Sequence, residues 1–146
     1  MAPPTMAMII NDEPSLVCSP NPFTPRAMSD KRIQKTIKAY ARSAWLAQKA
    51  GYDGVEIMGS EGYLITQFLA LRTNQRRDAW GGSLENRMRF ATEIVRQVRA
   101  AAGLDFIIVY RISALDLVEG GLSFEETAHV ARAVAAAGAT ILNTGI

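Results

Sequence analysis

Three stretches of this chain set reactive side-chain types directly after short apolar runs. Gly54-Val55-Glu56-Ile57-Met58 leads into Glu61, Gly62 and Tyr63. Phe106-Ile107-Ile108-Val109-Tyr110 leads into Arg111. Thr140-Ile141-Leu142-Asn143 leads into the closing Thr144-Gly145-Ile146. In parallel α/β folds, function collects where strands end and the next loops begin. A guanidinium at such a mouth needs an anionic or carbonyl partner. Strand alternation puts Glu56 on the same side as Met58, so an ion pair between Glu56 and Arg111 is one reading. Contact with a ligand is compatible with it, because a guanidinium has five donors. Taken alone, Tyr63 also reads as a tyrosine packed at a helix start, and Glu61 as a solvated loop carboxylate. Arg72, Thr73, Asn74 and Gln75 form a polar run after a short apolar helix, which alone reads as a hydrated loop. The acidic turn from Asp116 to Glu119 reads as solvated.

The elements that position these residues alternate. Ser29 to Ala50 has a capping serine, an acidic first turn, and Ile33, Ile37, Tyr40, Ala44 and Trp45 at helical spacing. Gly51 is placed to end that helix in a left-handed conformation. A second helix runs from Ser83 to Ala102 on a stripe of Phe90, Ala91, Ile94 and Val98, with Gly103 after it. Ser123 and Glu126 form a capping box for a third, ending near Gly138. The run 106–110 is continuous enough for a strand covered on both faces. Helix, strand, helix, strand, helix, strand implies a parallel sheet. Part of a (β/α)8 barrel and a doubly wound open sheet both fit that order. All six prolines lie in residues 1–28, which read as an irregular N-terminal segment; residues 29–146 read as the α/β domain.

A complete (β/α)8 barrel needs roughly 250 residues, and this chain has 146. It closes on a strand with no covering helix, so the sequence reads as cut. The net charge is +2 and the basic residues are scattered, which argues against a nucleic-acid partner. No apolar run approaches the roughly 18 residues of a membrane span, and the N-terminus lacks the pattern of a signal peptide. A single cysteine, Cys18, cannot cage a metal ion or hold an iron–sulfur cluster. That count fits a reducing, cytoplasmic setting.

The stretch EGYLITQFLALRTNQRRDAWGGSLENRMRF, with YRISALDLVEGG and AAGATILNTGI after it, resembles the old yellow enzyme family of FMN-dependent ene-reductases. The separated motifs Gly-Tyr-Leu, Asn-x-Arg, Asp, Gly-Gly-Ser and Glu-Asn-Arg stand in the family's order, and the resemblance runs from about residue 16 to the end. Many members carry a histidine pair in the strand-end loop. Met58 and Glu61 stand at those positions here, a departure that, with Arg72-Thr73-Asn74-Gln75, resembles the 2,4-dienoyl-CoA reductase branch.

The resemblance implies part of a (β/α)8 barrel that reduces an activated C=C bond. It implies FMN as cofactor, NADPH as reductant, and an unsaturated acyl-CoA or enone as substrate. Tyr63 matches the family's proton donor, and a phenol suits that task because it holds its proton at neutral pH. Glu61 would orient substrate or the neighbouring acid. Arg111 would contact the flavin ring where reduced flavin carries negative charge. Arg72, Thr73, Asn74 and Gln75 would line the substrate site. The branch's iron–sulfur cluster and FAD would belong to parts of a parent protein for which this chain has no ligands. His129 lies inside the third helix and does not match the branch's catalytic histidine. A chain of this kind is expected to bind the missing barrel segments or itself, and a non-catalytic segment that binds no flavin alone is the competing reading. A nucleotide-binding open sheet ranks last, because Gly51, Gly54 and Gly59 do not give the Gly-x-Gly-x-x-Gly spacing.

Overall fold

The computed structural model describes residues 26–145. All but the end of the irregular segment expected over 1–28, Cys18 included, lies outside the described residues. Four helices and three strands follow in the order α1 (Asp30–Lys49), β1 (Gly54–Gly59), α2 (Leu64–Leu69), α3 (Leu84–Ala102), β2 (Ile107–Ser113), α4 (Phe124–Ala137) and β3 (Ile141–Gly145). The three strands form one parallel sheet in the order β1-β2-β3. α1 packs on α3 and α3 on α4, and these helices cover one face of the sheet. A doubly wound sheet would carry helices on both faces. The arrangement is therefore an arc of a (β/α)8 barrel.

The helix boundaries follow from their caps. Ser29, Ser83 and Ser123 each accept a hydrogen bond from a backbone N–H in the first turn. Glu126 completes the capping box by accepting the Ser123 N–H at 3.1 Å. Gly51, Gly103 and Gly138 all take positive φ after their helices. Ile33, Ile37 and Ala44 are buried as the spacing predicts, but Trp45 is not. It is 43% exposed, because it stands a further 100° around the helix from Ala44, and the Lys49 ammonium lies over its ring.

Each strand extends past its apolar run into the polar residues that follow it. In β2, Ile108, Tyr110 and Ile112 are buried against the helices, whereas Ile107 is exposed and Val109 and Arg111 are half-buried. The expectation of cover on both faces is thus corrected: a continuous apolar run here has one packed face and one open face. The open face is the interior side of the barrel arc, and among the described residues nothing lies over it. β1 and β3 each leave an edge unpaired among the described residues.

Tyr110 sits fully buried, with no hydrogen-bond partner for its hydroxyl among the described residues. Burial pushes its phenol up, so it stays neutral. The ring fits only because residue 59 is glycine: a Cβ there would come within 2.3 Å of Tyr110 Cζ and Oη. We expect Gly59→Ala to destabilise the fold by about 1–3 kcal/mol through overpacking, read by urea unfolding. Unchanged stability would mean that Tyr110 can swing aside.

The loop between α2 and α3 is tied by side chains that bond to backbone. Asn74 is buried, and its amide donates to Phe68 O at 2.6 Å and Trp80 O at 2.7 Å. Its Oδ1 accepts the Arg76 N–H at 3.1 Å. Arg76 clasps Asp78, holding that carboxyl below the usual range, and also donates to Met28 O. Trp80 Nε1 donates to Asp30 at 2.8 Å, fastening the loop to the start of α1. Asn86 donates to Gly81 O. Arg87, almost fully buried, donates to Gly82 O, Leu69 O and Glu126, so it joins α2, the loop and the capping box of α4. Arg87→Met would leave Glu126 and two carbonyls without their donor. The expected cost is about 3–5 kcal/mol, as for breaking a buried ion pair, measured by chemical denaturation; a loss below 1 kcal/mol would assign the joint to packing alone.

Candidate active site

The C-terminal ends of the strands bring the reactive residues together. Met58, Arg111 and Asn143 stand in register across the three strands, with Glu56, Val109 and Ile141 one step behind on the same open face. Glu56 Oε1 lies 3.1 Å from Arg111 Nε. The contact is an ion pair without hydrogen-bond alignment, and Nε is buried with no hydrogen-bond partner. Coulomb attraction survives poor alignment where hydrogen bonding does not. Asn143 Nδ2 donates to the other Glu56 oxygen at 2.8 Å. Arg111 Nη1 reaches Glu61 Oε1 at 3.5 Å. One guanidinium therefore sits between two carboxylates, about a third exposed. Its Nη2 has no partner among the described residues.

Glu61 has a left-handed backbone, with φ of 60°. For a residue with a Cβ that conformation costs roughly 1–2 kcal/mol. Two bonds to β2 hold it there: its N–H donates to Ser113 Oγ at 3.1 Å, and its carboxylate meets Arg111. Gly62 follows with φ of 74°, and the chain then straightens at Tyr63. Tyr63 caps α2 through its backbone: its N–H donates to Ser60 O, and its carbonyl accepts the Gln67 N–H at 3.0 Å. With no side-chain role in the cap, the ring is 56% exposed. It does not pack at the helix start.

Beside this turn, the loop after β1 and the loop after β2 enclose a cleft of about 420 Å³. Glu61, Thr66, Arg72 and Thr73 contribute to one wall, and Ser113 and Leu115 to Val118 to the other. Thr66 is buried there with its hydroxyl unpartnered. Arg72 braces the two loops, its N–H donating to Gly120 O at 2.7 Å and Nη1 to Glu119 O at 3.3 Å. Thr73 Oγ1 lies 3.0 Å from Gln67 O. Asp116 is not simply solvated, since its carboxylate accepts the Leu122 N–H at 2.9 Å and shapes the turn.

Of the residues singled out from sequence, Glu61 and Arg111 meet directly, Tyr63 follows Glu61 on the same turn, and Arg72 and Thr73 reach the cleft. Asn74 and Gln75 stand apart from it. Asn74 is engaged with backbone on both sides, and Gln75 donates to Leu71 O while facing solvent. Sequence reasoning gave no role to Ser113, or to Asn143 although it stands in the third strand-end stretch. Ser113 could have been found as the next residue after Arg111 on the same strand face; Asn143 emerges only from the inter-strand register. Among the described residues, no group of three or more His, Cys, Asp or Glu could hold a metal ion, and no helix is long and apolar enough to cross a membrane.

Residues 3–145 match the family described as NADH:flavin oxidoreductase / NADH oxidase. An NADH oxidase of Thermoanaerobacter brockii is 42% identical over 119 residues, covering 82% of this chain and 18% of that protein. The solved 2-naphthoyl-CoA reductase complex with 2-naphthoyl-CoA superposes with a TM-score of 0.77 at 39% identity, covering 82% of this chain and 19% of that one. An old yellow enzyme homologue from Zymomonas mobilis superposes with a TM-score of 0.73 at 30% identity, over 82% of this chain and 34% of that one. The chain spans about a sixth to a third of the length of the curated relatives it matches, between 17% and 31%.

Proposed function

Because this chain belongs to the NADH:flavin oxidoreductase / NADH oxidase family, we propose that it carries part of the active face of an FMN-dependent, NAD(P)H-driven ene-reductase. The observation that carries this reading is the triad of Glu56, Arg111 and Glu61, with Tyr63 on the adjoining turn, all at the C-terminal mouth of a parallel arc. That mouth is where (β/α)8 enzymes build their sites.

The residues present fit a flavin. Arg111 offers a planar cation with an uncommitted Nη2 on an open sheet face, and a buried Nε without an aligned acceptor. Arg111 would hold the ring, with Glu56 and Asn143 keeping the guanidinium in place. When bound, reduced FMN supplies the hydride that adds to one carbon of an activated alkene. Tyr63 gives a proton to the neighbouring carbon, and its exposure leaves the phenol free to meet a substrate. Glu61 orients the substrate or the Tyr63 hydroxyl from a turn fixed by β2. Arg72 and Thr73 receive the rest of the substrate along the cleft, and Asn74 holds the loop that presents them.

Within this chemistry we favour an NADPH-dependent 2,4-dienoyl-CoA reductase, which would serve fatty-acid β-oxidation in the cytoplasm. Supporting it are Met58 and Glu61 at the strand-end positions, and the likeness to a reductase whose solved structure is a complex with an aromatic acyl-CoA. The second reading is a segment that binds no flavin by itself and associates with complementary barrel strands. It rests on the unpaired edges of β1 and β3.

The test is the absorbance spectrum of the purified chain after incubation with FMN and desalting. Retained flavin absorbance, followed by NADPH-dependent consumption of a dienoyl-CoA, is the expected result for the ene-reductase. A colourless chain favours the second reading. Flavin-bound protein that reduces simple enones but no acyl-CoA would overturn the dienoyl-CoA assignment alone.

A further inference from the structure

We infer that Ser113 is a positioning residue for proton delivery by Tyr63, acting through the backbone of Glu61. The inference rests on the proposed ene-reductase reading. Ser113 is the last residue of β2 and is 5% exposed. Its hydroxyl oxygen accepts the Glu61 N–H at 3.1 Å, across 52 residues of sequence. That N–H belongs to the described chain's only non-glycine residue with positive φ.

The other bonds of the turn 60–63 run within it, back to β1 or to α2: the Tyr63 N–H donates to Ser60 O, Ser60 Oγ donates to Met58 Sδ, and the Gln67 amide donates to Gly62 O at 2.9 Å. Gly62 has open space around it and adopts its positive φ without a side chain to resist change. Tyr63 has no side-chain hydrogen bond at the cap. The Glu61 carboxylate meets Arg111 at 3.5 Å, the outer limit of a hydrogen bond. The Ser113 contact is therefore the firm tie between the turn and β2. Without it, Glu61 relaxes toward ordinary φ, and a rotation there carries the Tyr63 ring with it. Arg111 and Ser113 face the same side of β2 two residues apart, so one strand fixes both the flavin-facing cation and the turn bearing the acid.

The experiment compares Ser113→Ala and Ser113→Thr with wild type in the flavin-loaded protein. Two rates are followed by rapid mixing: reduction of the flavin by NADPH, and reoxidation by an enone such as cyclohexenone or by a dienoyl-CoA. Hydrogen exchange of the Glu61 amide is measured on the same proteins. In Ser113→Ala we expect alkene reduction to slow roughly 10- to 100-fold through misplacement of the acid, with flavin reduction unchanged. We expect exchange at Glu61 to rise roughly tenfold as its bond is lost. Ser113→Thr, which keeps the hydroxyl, should restore both. Faster exchange with an unaltered alkene rate would overturn the inference, as would equal slowing of both half-reactions. Unaltered exchange would overturn it at its structural root. A wild-type protein that binds flavin but reduces no alkene would instead sink the ene-reductase reading, and the positioning role of Ser113 with it.

Discussion

Replacing Arg111 by methionine is expected to weaken flavin binding by roughly 30- to 100-fold, the loss of about 2–3 kcal/mol associated with hydrogen bonds to a charged group. Methionine keeps an unbranched chain of similar reach, so the strand is not hollowed. The guanidinium is about a third exposed, so solvent screens it and the estimate stays at this modest level. The loss has a second part. Glu56 and Glu61 both pair with this one cation; with methionine in its place, two carboxylates face a ligand that gains negative charge on reduction. Reduced flavin should therefore be affected more than oxidised flavin. Fluorescence titration with FMN checks the first part, and the midpoint potential of the bound flavin, shifted to more negative values, checks the second. Arg111→Lys keeps charge without the planar fork and should fall between. Dissociation constants within threefold of wild type for Arg111→Met would remove Arg111 from the flavin site.

Tyr63→Phe carries the other large effect. Only an exposed hydroxyl is removed, so stability should change by less than about 0.5 kcal/mol. Alkene reduction should slow by roughly 10²- to 10⁴-fold, the usual contribution of a positioned general acid. Flavin reduction by NADPH should be unaffected. The split is decisive because a folding defect would lower both rates. Should the phenylalanine protein reduce alkene within threefold of wild type, the proton comes from another group, and Glu61 would be the next candidate to substitute.

The fold was legible in the sequence wherever local chemistry decides it. Ser29, Ser83 and the Ser123–Glu126 box cap the helices as their spacing predicts. Strand ends were harder: β1, β2 and β3 continue through Gly59, Ser113 and Gly145, because pairing with neighbours overrides the weak strand preference of the residues there. The Glu56–Arg111 pair was readable from strand alternation alone. Ser113 and Asn143 were not, since their bonds reach across 52 and 87 residues and depend on register. Asn74 illustrates the opposite error: among polar neighbours it resembles a ligand-facing amide, and only the fold reveals the two carbonyls it serves. Trp45 stood at an interval that includes both the packed stripe and its flank, and periodicity could not separate them.

The tie-down of the loop between α2 and α3 has a consequence for the order of folding. Its bonds from Asn74, Asn86 and Arg87 to the loop carbonyls span between 5 and 18 residues. Closing such short segments forfeits little chain entropy, and native structure rich in near-neighbour contacts forms quickly. The row that joins Glu56, Arg111 and Asn143 requires closures several times longer. The bracket beside the reactive face is thus expected to assemble early, with the face itself among the last parts to acquire its native geometry.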